Sequence, residues 1–199
     1  MTDWDARFAE PGYAYGSEPN AFLVEVAGRI PAGPVLSLGE GEGRNAVFLA
    51  GRGHAVVAVD ASAVGLAKAA ARARERGVPL TPVVADLAGY PIEPEAWSGI
   101  VSIFVHLPAD VRRRLYAAVA QGLRPGGVFV LEAYTPRQLA FGTGGPRDAA
   151  RLATLDDVRE DLAGLDLQIG REVERDVTEG TYHWGRAAVV QVLARKPAR

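Results

Sequence analysis

The run Val35-Leu36-Ser37-Leu38-Gly39-Glu40-Gly41-Glu42-Gly43-Arg44-Asn45 decides how this chain folds. Val35 to Leu38 predicts a short buried strand, three glycines at alternate positions predict a tight turn, and Ala46, Val47, Leu49 and Ala50 resume with helical spacing. Glycine suits such a turn because the backbone angles exclude most side chains and because a ligand can then lie on the main chain. The helix that follows points its free N–H groups at whatever occupies the loop. Val56 to Val59 predicts a second strand ending at Asp60, whose carboxylate is placed to accept hydrogen bonds from two ribose hydroxyls. Together these signals imply a nucleoside cofactor.

The glycine spacing narrows the choice. The dinucleotide fingerprint G-x-G-x-x-G requires glycine or alanine at position 44, which holds Arg44. The spacing present resembles the glycine-rich motif of class I S-adenosylmethionine-dependent methyltransferases. It is most similar to the small bacterial group that includes the tellurite-resistance and thiopurine methyltransferases. The resemblance implies S-adenosylmethionine as cofactor, held along Gly39, Glu40, Gly41, Gly43 and Asn45, with Asp60 on the ribose and Ala61 beside it. It further implies Asp86 and Leu87 at the adenine, Ile103 close by, and a Trp-x-x-Arg element, here Trp4 and Arg7, whose arginine takes the methionine carboxylate.

Two positions depart from the family pattern. Ser37 stands where many relatives place an acidic residue, and Ser98-Gly99 stands where an acidic residue often precedes the fourth strand. Glu40 or Glu42 is expected to take over part of the binding of the methionine amine. The Asn/Asp-Pro-Pro-Tyr element of amino-methylating relatives is missing; Ile103-Phe104-Val105-His106 occupies that region, which disfavours a nitrogen acceptor.

With 199 residues, one domain is the simplest expectation, enough to bury roughly 70% of the unfolded surface. A net charge of −2 gives no basic field for nucleic acid, and no run approaches membrane-spanning length, so a cytoplasmic protein with neither kind of partner is expected. The absence of cysteine removes thiolate metal sites and a cysteine nucleophile, and no metal is expected. Lys68 and Lys196 are the only lysines.

The expected architecture is α/β: a doubly wound, mostly parallel, Rossmann-like sheet closed by a C-terminal antiparallel hairpin. Residues 1–33 read as an aromatic-rich arm or lid and a short helix, and 34–134 as the cofactor-binding core. Residues 135–153 read as a substrate-side loop, and 154–199 as a helix and the hairpin around Glu179-Gly180. The arginines of the helix after Ser62, and Arg112 to Arg114 of a later one, are expected to face solvent. Arg124-Pro125-Gly126-Gly127 before the fifth strand is a second methyltransferase-like signature, and Thr154 to Asp157 predicts a capping box.

Direct methyl displacement from a sulfonium needs positioning and exclusion of water; a base matters only for an acceptor with a proton to lose. Candidates for a catalytic role are His106, Tyr134 and His183, and Arg137 and Arg147 are placed to meet an anionic acceptor. The leading reading is transfer to a small molecule, either a soft sulfur, selenium or tellurium centre or a hydroxyl. The alternatives are a non-catalytic adenosylmethionine-binding module and, least favoured, a nicotinamide-dependent oxidoreductase.

Overall fold

A computed structural model describes residues 3–198. One seven-stranded sheet carries the fold, in the order β3-β2-β1-β4-β5-β7-β6. Five strands run parallel: β1 (Pro34–Leu38), β2 (Ala55–Asp60), β3 (Leu80–Val84), β4 (Trp97–Ile103) and β5 (Leu123–Tyr134). The last two, β6 (Asp166–Glu179) and β7 (His183–Arg195), form the expected hairpin, with β7 inserted antiparallel beside β5.

Alternation along the strands feeds two cores. Leu36, Leu38, Ile100, Phe129 and Leu131 face one side, where α5 (Ala109–Gly122) contributes Leu115, Tyr116 and Val119 and α6 (Leu155–Asp161) contributes Val158. Val35, Val101, Val128 and Val130 face the other. There α2 (Ala21–Val26), α3 (Arg44–Gly51) and α4 (Ala63–Glu75) cover them with Phe22, Leu23, Leu49 and Leu66. Helices on both faces leave one open edge of functional interest, the carboxyl ends of β1, β2 and β4, where the chain reverses direction across the sheet. A short helix α1 (Trp4–Phe8) sits on α4 near that edge.

Local signals account for most element ends. Ser62 caps α4 by accepting from Gly65 N–H at 3.0 Å, and Thr154 with Asp157 forms the reciprocal box that starts α6. Two expectations require correction. Arg72 of α4 is buried, because it reaches back to the Ser17 carbonyl and lies 5.1 Å from the Tyr13 ring centre. Arg112 is buried as well, paired with Asp161 at 2.6 Å across the α5–α6 contact, whereas Arg113 and Arg114 are exposed.

Candidate functional site

The loop after β1 is shaped by contact as well as by backbone angle. Gly39, Gly41 and Gly43 all have positive φ. A Cβ on Gly39 would come within 2.5 Å of Val105, one on Gly41 within 2.9 Å of Phe8, and one on Gly43 within 2.6 Å of Ala69. Each glycine thus lets a different element close on the loop: the end of β4, the arm, and α4.

Asp60 closes β2 against this loop. One carboxylate oxygen accepts from Gly41 N–H at 2.8 Å and the other from Ser62 N–H at 2.8 Å. Burial pushes the carboxyl above its ordinary range, and these N–H groups pull it partly back. Ala61 is exposed beside it. At the next strand end Asp86 is exposed and accepts from Ala88 N–H at 2.9 Å, while Leu87 is buried. Ile103 is buried at the end of β4.

Glu40 turns into the protein. It accepts from Asn45 N–H at 3.0 Å and Ala46 N–H at 2.9 Å, filling the N-terminus of α3, and it takes the Ser37 hydroxyl. The serine at the departing position and the acidic residue three places on are therefore one hydrogen-bonded unit. Burial raises the Glu40 carboxyl. Glu42 instead takes Ala14 N–H at 2.7 Å and Lys68 at 2.8 Å. Asn45 accepts from Asn20 N–H at 2.9 Å.

The N-terminal arm crosses this edge and is tied down at many points. Asp5 accepts from Ser62 Oγ and Val64 N–H, and those bonds hold its carboxyl below the usual range. Lys68 Nζ donates to the carbonyls of Glu10 at 3.0 Å and Gly12 at 2.8 Å. Arg7 donates to Tyr15 Oη at 3.1 Å and lies 4.1 Å from the Tyr182 ring centre; among the described residues no carboxylate pairs with it. Trp4 stacks on Phe8 with centroids 5.7 Å apart and stays half-exposed.

Beyond the arm lies an aromatic cluster. Phe104, which leaves β4 with a φ of 56°, contacts Tyr134 at 4.7 Å and His183 at 4.5 Å between ring centres, and Tyr15 contacts His183 at 4.5 Å. A non-glycine residue in that conformation is strained, and strain of this kind concentrates at functional sites. His106 accepts from Tyr134 N–H at 3.1 Å through Nε2 and also bonds to the Phe104 backbone. Both ring nitrogens are engaged, and burial lowers its pKa to about 4. His106 is thereby a neutral brace for the ends of β4 and β5. His183 is held neutral by burial and by Arg44, Arg175 and Arg7 around it. Its Nδ1 and the Tyr134 hydroxyl are buried and have no hydrogen-bond partner among the described residues.

An ionic frame lies behind this cluster: a charge at Glu132 inside an apolar strand already asks for a partner, but sequence reasoning missed which residues supply the pairing. Glu179 pairs with Arg44 at 2.6 Å and Arg175 at 3.0 Å, Glu132 takes Arg175 and Gln191, and Asn20 donates to both carboxylates at 3.2 and 3.1 Å. Gln138, buried after β5, joins Ala188 N–H to Thr143 and Gly144, holding the glycine-rich loop on Tyr134. Lys68 carried a signal, as one of two lysines in an arginine-rich chain; Gln138 carried none. Arg137 pairs with Glu174 near the surface, and Arg147 is exposed.

This sheet order, with β7 antiparallel between β5 and β6 and an acidic residue closing β2, is the class I methyltransferase fold. Residues 35–127 match the family described as methyltransferase domain. A curated relative, the 2-heptyl-1-hydroxyquinolin-4(1H)-one methyltransferase of Mycobacteroides abscessus, is 28% identical over 127 residues, covering 62% of this chain and 56% of its own. The chain thus spans about half the length of that relative. TehB from Haemophilus influenzae superposes with a TM-score of 0.75 at 18% identity, over 89% of this chain and 62% of that one. A Methanosarcina mazei protein described as a SAM-dependent methyltransferase gives 0.72 at 15% identity, over 88% and 98%.

The cofactor of that fold class is S-adenosylmethionine, and the donor set here fits it. Asp60 retains acceptor capacity after its two backbone bonds, as ribose hydroxyls require. Among the described residues the guanidinium of Arg7 meets no carboxylate, and a methionine group carries one.

Proposed function

We propose that the chain is an S-adenosylmethionine-dependent methyltransferase that methylates a small molecule by direct in-line displacement. The observation that carries this reading is a buried Asp60, fixed by Gly41 and Ser62, together with Arg7, which has no carboxylate partner among the described residues and belongs to the helix whose Phe8 covers the same loop. When bound, the cofactor supplies an electrophilic methyl group on a sulfonium sulfur. Asp60 holds the ribose, Arg7 the carboxylate, and Asp86 with the Leu87 amide the adenine edge. Gly39, Gly41 and Gly43 let Val105, Phe8 and α4 close on the loop that carries the ligand. Glu40 and Asn45 act one step back, by fixing the start of α3 and the arm. Trp4, Phe8 and Tyr15 form the cover that keeps water out.

A small acceptor fits the net charge of −2, which offers nucleic acid nothing. A cytoplasmic location and a single domain over 1–199 belong to the same proposal. The test is transfer of a labelled methyl group from S-adenosylmethionine to tellurite, thiols and phenols. Label in any acceptor with release of S-adenosylhomocysteine supports an enzyme. Cofactor binding without transfer to any acceptor would indicate a binding module instead.

A further inference from the structure

At the amino ends of the parallel strands, the edge opposite Asp60, lies an open cavity of about 410 Å³. The five residues of β1 separate the two edges by about 17 Å. Ser98 near the start of β4, Arg124 and Gly126-Gly127 at the start of β5, and Arg195 at the end of β7 line this cavity. The glycine turn is clamped to β7: Gly126 N–H donates to the Lys196 carbonyl and Lys196 N–H to the Gly127 carbonyl, both at 2.9 Å.

Both arginines are held by the main chain and left without an acid. Arg124 Nε donates to the Glu95 carbonyl at 3.3 Å, and Arg195 Nη1 to the Gly126 carbonyl at 2.6 Å. Among the described residues neither guanidinium pairs with a carboxylate, not even Asp166 opposite Arg195 on β6, and the Glu95 carboxylate meets Lys196 at 3.7 Å. At the other edge Arg44 and Arg175 each face a glutamate. Two like charges on one cleft repel each other until an anion joins them. Ser98 bears on why the acid is missing. A Cβ on Gly33, whose φ is 132°, would fall 2.3 Å from Ser98 Oγ and 3.5 Å from Arg124 Nη1, so hydroxyl and guanidinium flank the same bare glycine. A carboxylate at position 98, as relatives often carry, would stand beside Arg124 and neutralise it. Ser98 instead gives its proton to the Ala32 carbonyl at 3.1 Å and adds no charge.

We propose that this cleft binds a small dianion, a phosphoryl group or a dicarboxylate, gripped by the N–H groups that Arg124 and Arg195 keep free. Planar guanidinium forks match both kinds of oxyanion, and tethering each fork to a backbone carbonyl spares much of the entropy of ordering it. The cavity exceeds a phosphate ion in size, which leaves room for the organic body of a phosphate ester or for a dicarboxylate to span the two arginines. Lying at the far edge of the sheet, the site takes neither the cofactor nor the methyl acceptor and stands independently of the methyltransferase reading. A bound dianion ties the start of β5 to the end of β7, the strands whose other ends carry Tyr134 and His183.

The experiment is calorimetric titration of inorganic phosphate, glycerol 3-phosphate and malonate into the whole protein at constant ionic strength, with sodium chloride as control. It is repeated on Arg124→Gln, Arg195→Gln and Ser98→Asp, each checked by circular dichroism and by its affinity for S-adenosylhomocysteine. The expected result is saturable binding of at least one dianion and none of chloride, weakened about tenfold or more by each substitution while S-adenosylhomocysteine affinity stays at the wild-type value. Preference for malonate identifies a dicarboxylate site, and preference for either phosphate compound a phosphoryl site. Absence of saturation by all three below about 10 mM, or binding that survives both arginine substitutions, would overturn the assignment. Arg124 is exposed, so its variant decides the question even where the buried Ser98→Asp does not fold.

Discussion

The Arg44–Glu179 pair offers a sharp test of how the arm, the glycine loop and the hairpin are held together. Arg44 occupies the first position of α3 and Glu179 the end of β6, 135 residues apart, and they meet at 2.6 Å with side-chain exposures of 8% and 9%. Replacing Glu179 by leucine leaves the Arg44 guanidinium buried opposite an apolar group and strips Asn20 and Arg175 of one acceptor each. Breaking one partner of a buried pair costs about 3–5 kcal/mol, while exchanging both for apolar groups of similar volume is often close to neutral. For a protein of this size about 2–4 °C of melting temperature accompanies each kcal/mol. Glu179→Leu is therefore expected to lower the melting temperature by roughly 6–20 °C. The double variant Arg44→Met/Glu179→Leu should recover most of that. Urea unfolding followed by circular dichroism gives the two single values and the double, and the coupling should exceed about 1 kcal/mol. A single-variant cost below about 1 kcal/mol, or simple additivity in the double, would refute the view that this pair is a desolvated unit.

Three further outcomes follow from the same geometry. Arg7→Met should weaken S-adenosylhomocysteine about tenfold or more in calorimetry and leave methylthioadenosine, which lacks the carboxylate, unaffected. Gly43→Ala, with φ at 88° and Ala69 at 2.6 Å from the new Cβ, should destabilise well beyond Gly53→Ala, which has φ at 91° and no heavy atom within 4 Å. The latter should cost about 1 kcal/mol in the same urea assay. For His106 the unfolded ring protonates near 6.5 and the folded ring near 4, so the unfolded chain binds more protons between those values. Stability should fall as pH drops through that window, and His106→Gln should flatten the dependence; an unchanged pH profile would deny the buried, braced imidazole.

The nucleotide-binding half of the fold was legible because its signals are local. Alternating glycines between an apolar strand and a helix, Asp60 at the next strand end, and Ser62 before α4 each specify their own conformation within a few residues. The hairpin was legible from Glu179-Gly180 between two apolar alternating runs. The role of Arg44 was not. Its sequence position argued against a dinucleotide loop, but its partner is supplied by the far end of the chain, and no local rule encodes a contact across 135 residues. Arg72 and Arg112 failed for the same reason: a helical arginine reads as solvated until the element that buries it is in place. Tyr134 and His183 were visible as polar aromatics near strand ends. That the Tyr134 hydroxyl and His183 Nδ1 are buried without partners among the described residues emerges only from the packed cluster.

Calorimetry with S-adenosylhomocysteine and NAD on the wild-type protein and on Asp60→Ala tests the nucleoside site built on Asp60. The wild type should bind S-adenosylhomocysteine with micromolar affinity and NAD not at all, and the variant should lose about tenfold or more, as expected when ribose hydroxyls lose a charged acceptor. Unchanged S-adenosylhomocysteine affinity in Asp60→Ala, or preferential binding of NAD by the wild type, would contradict it.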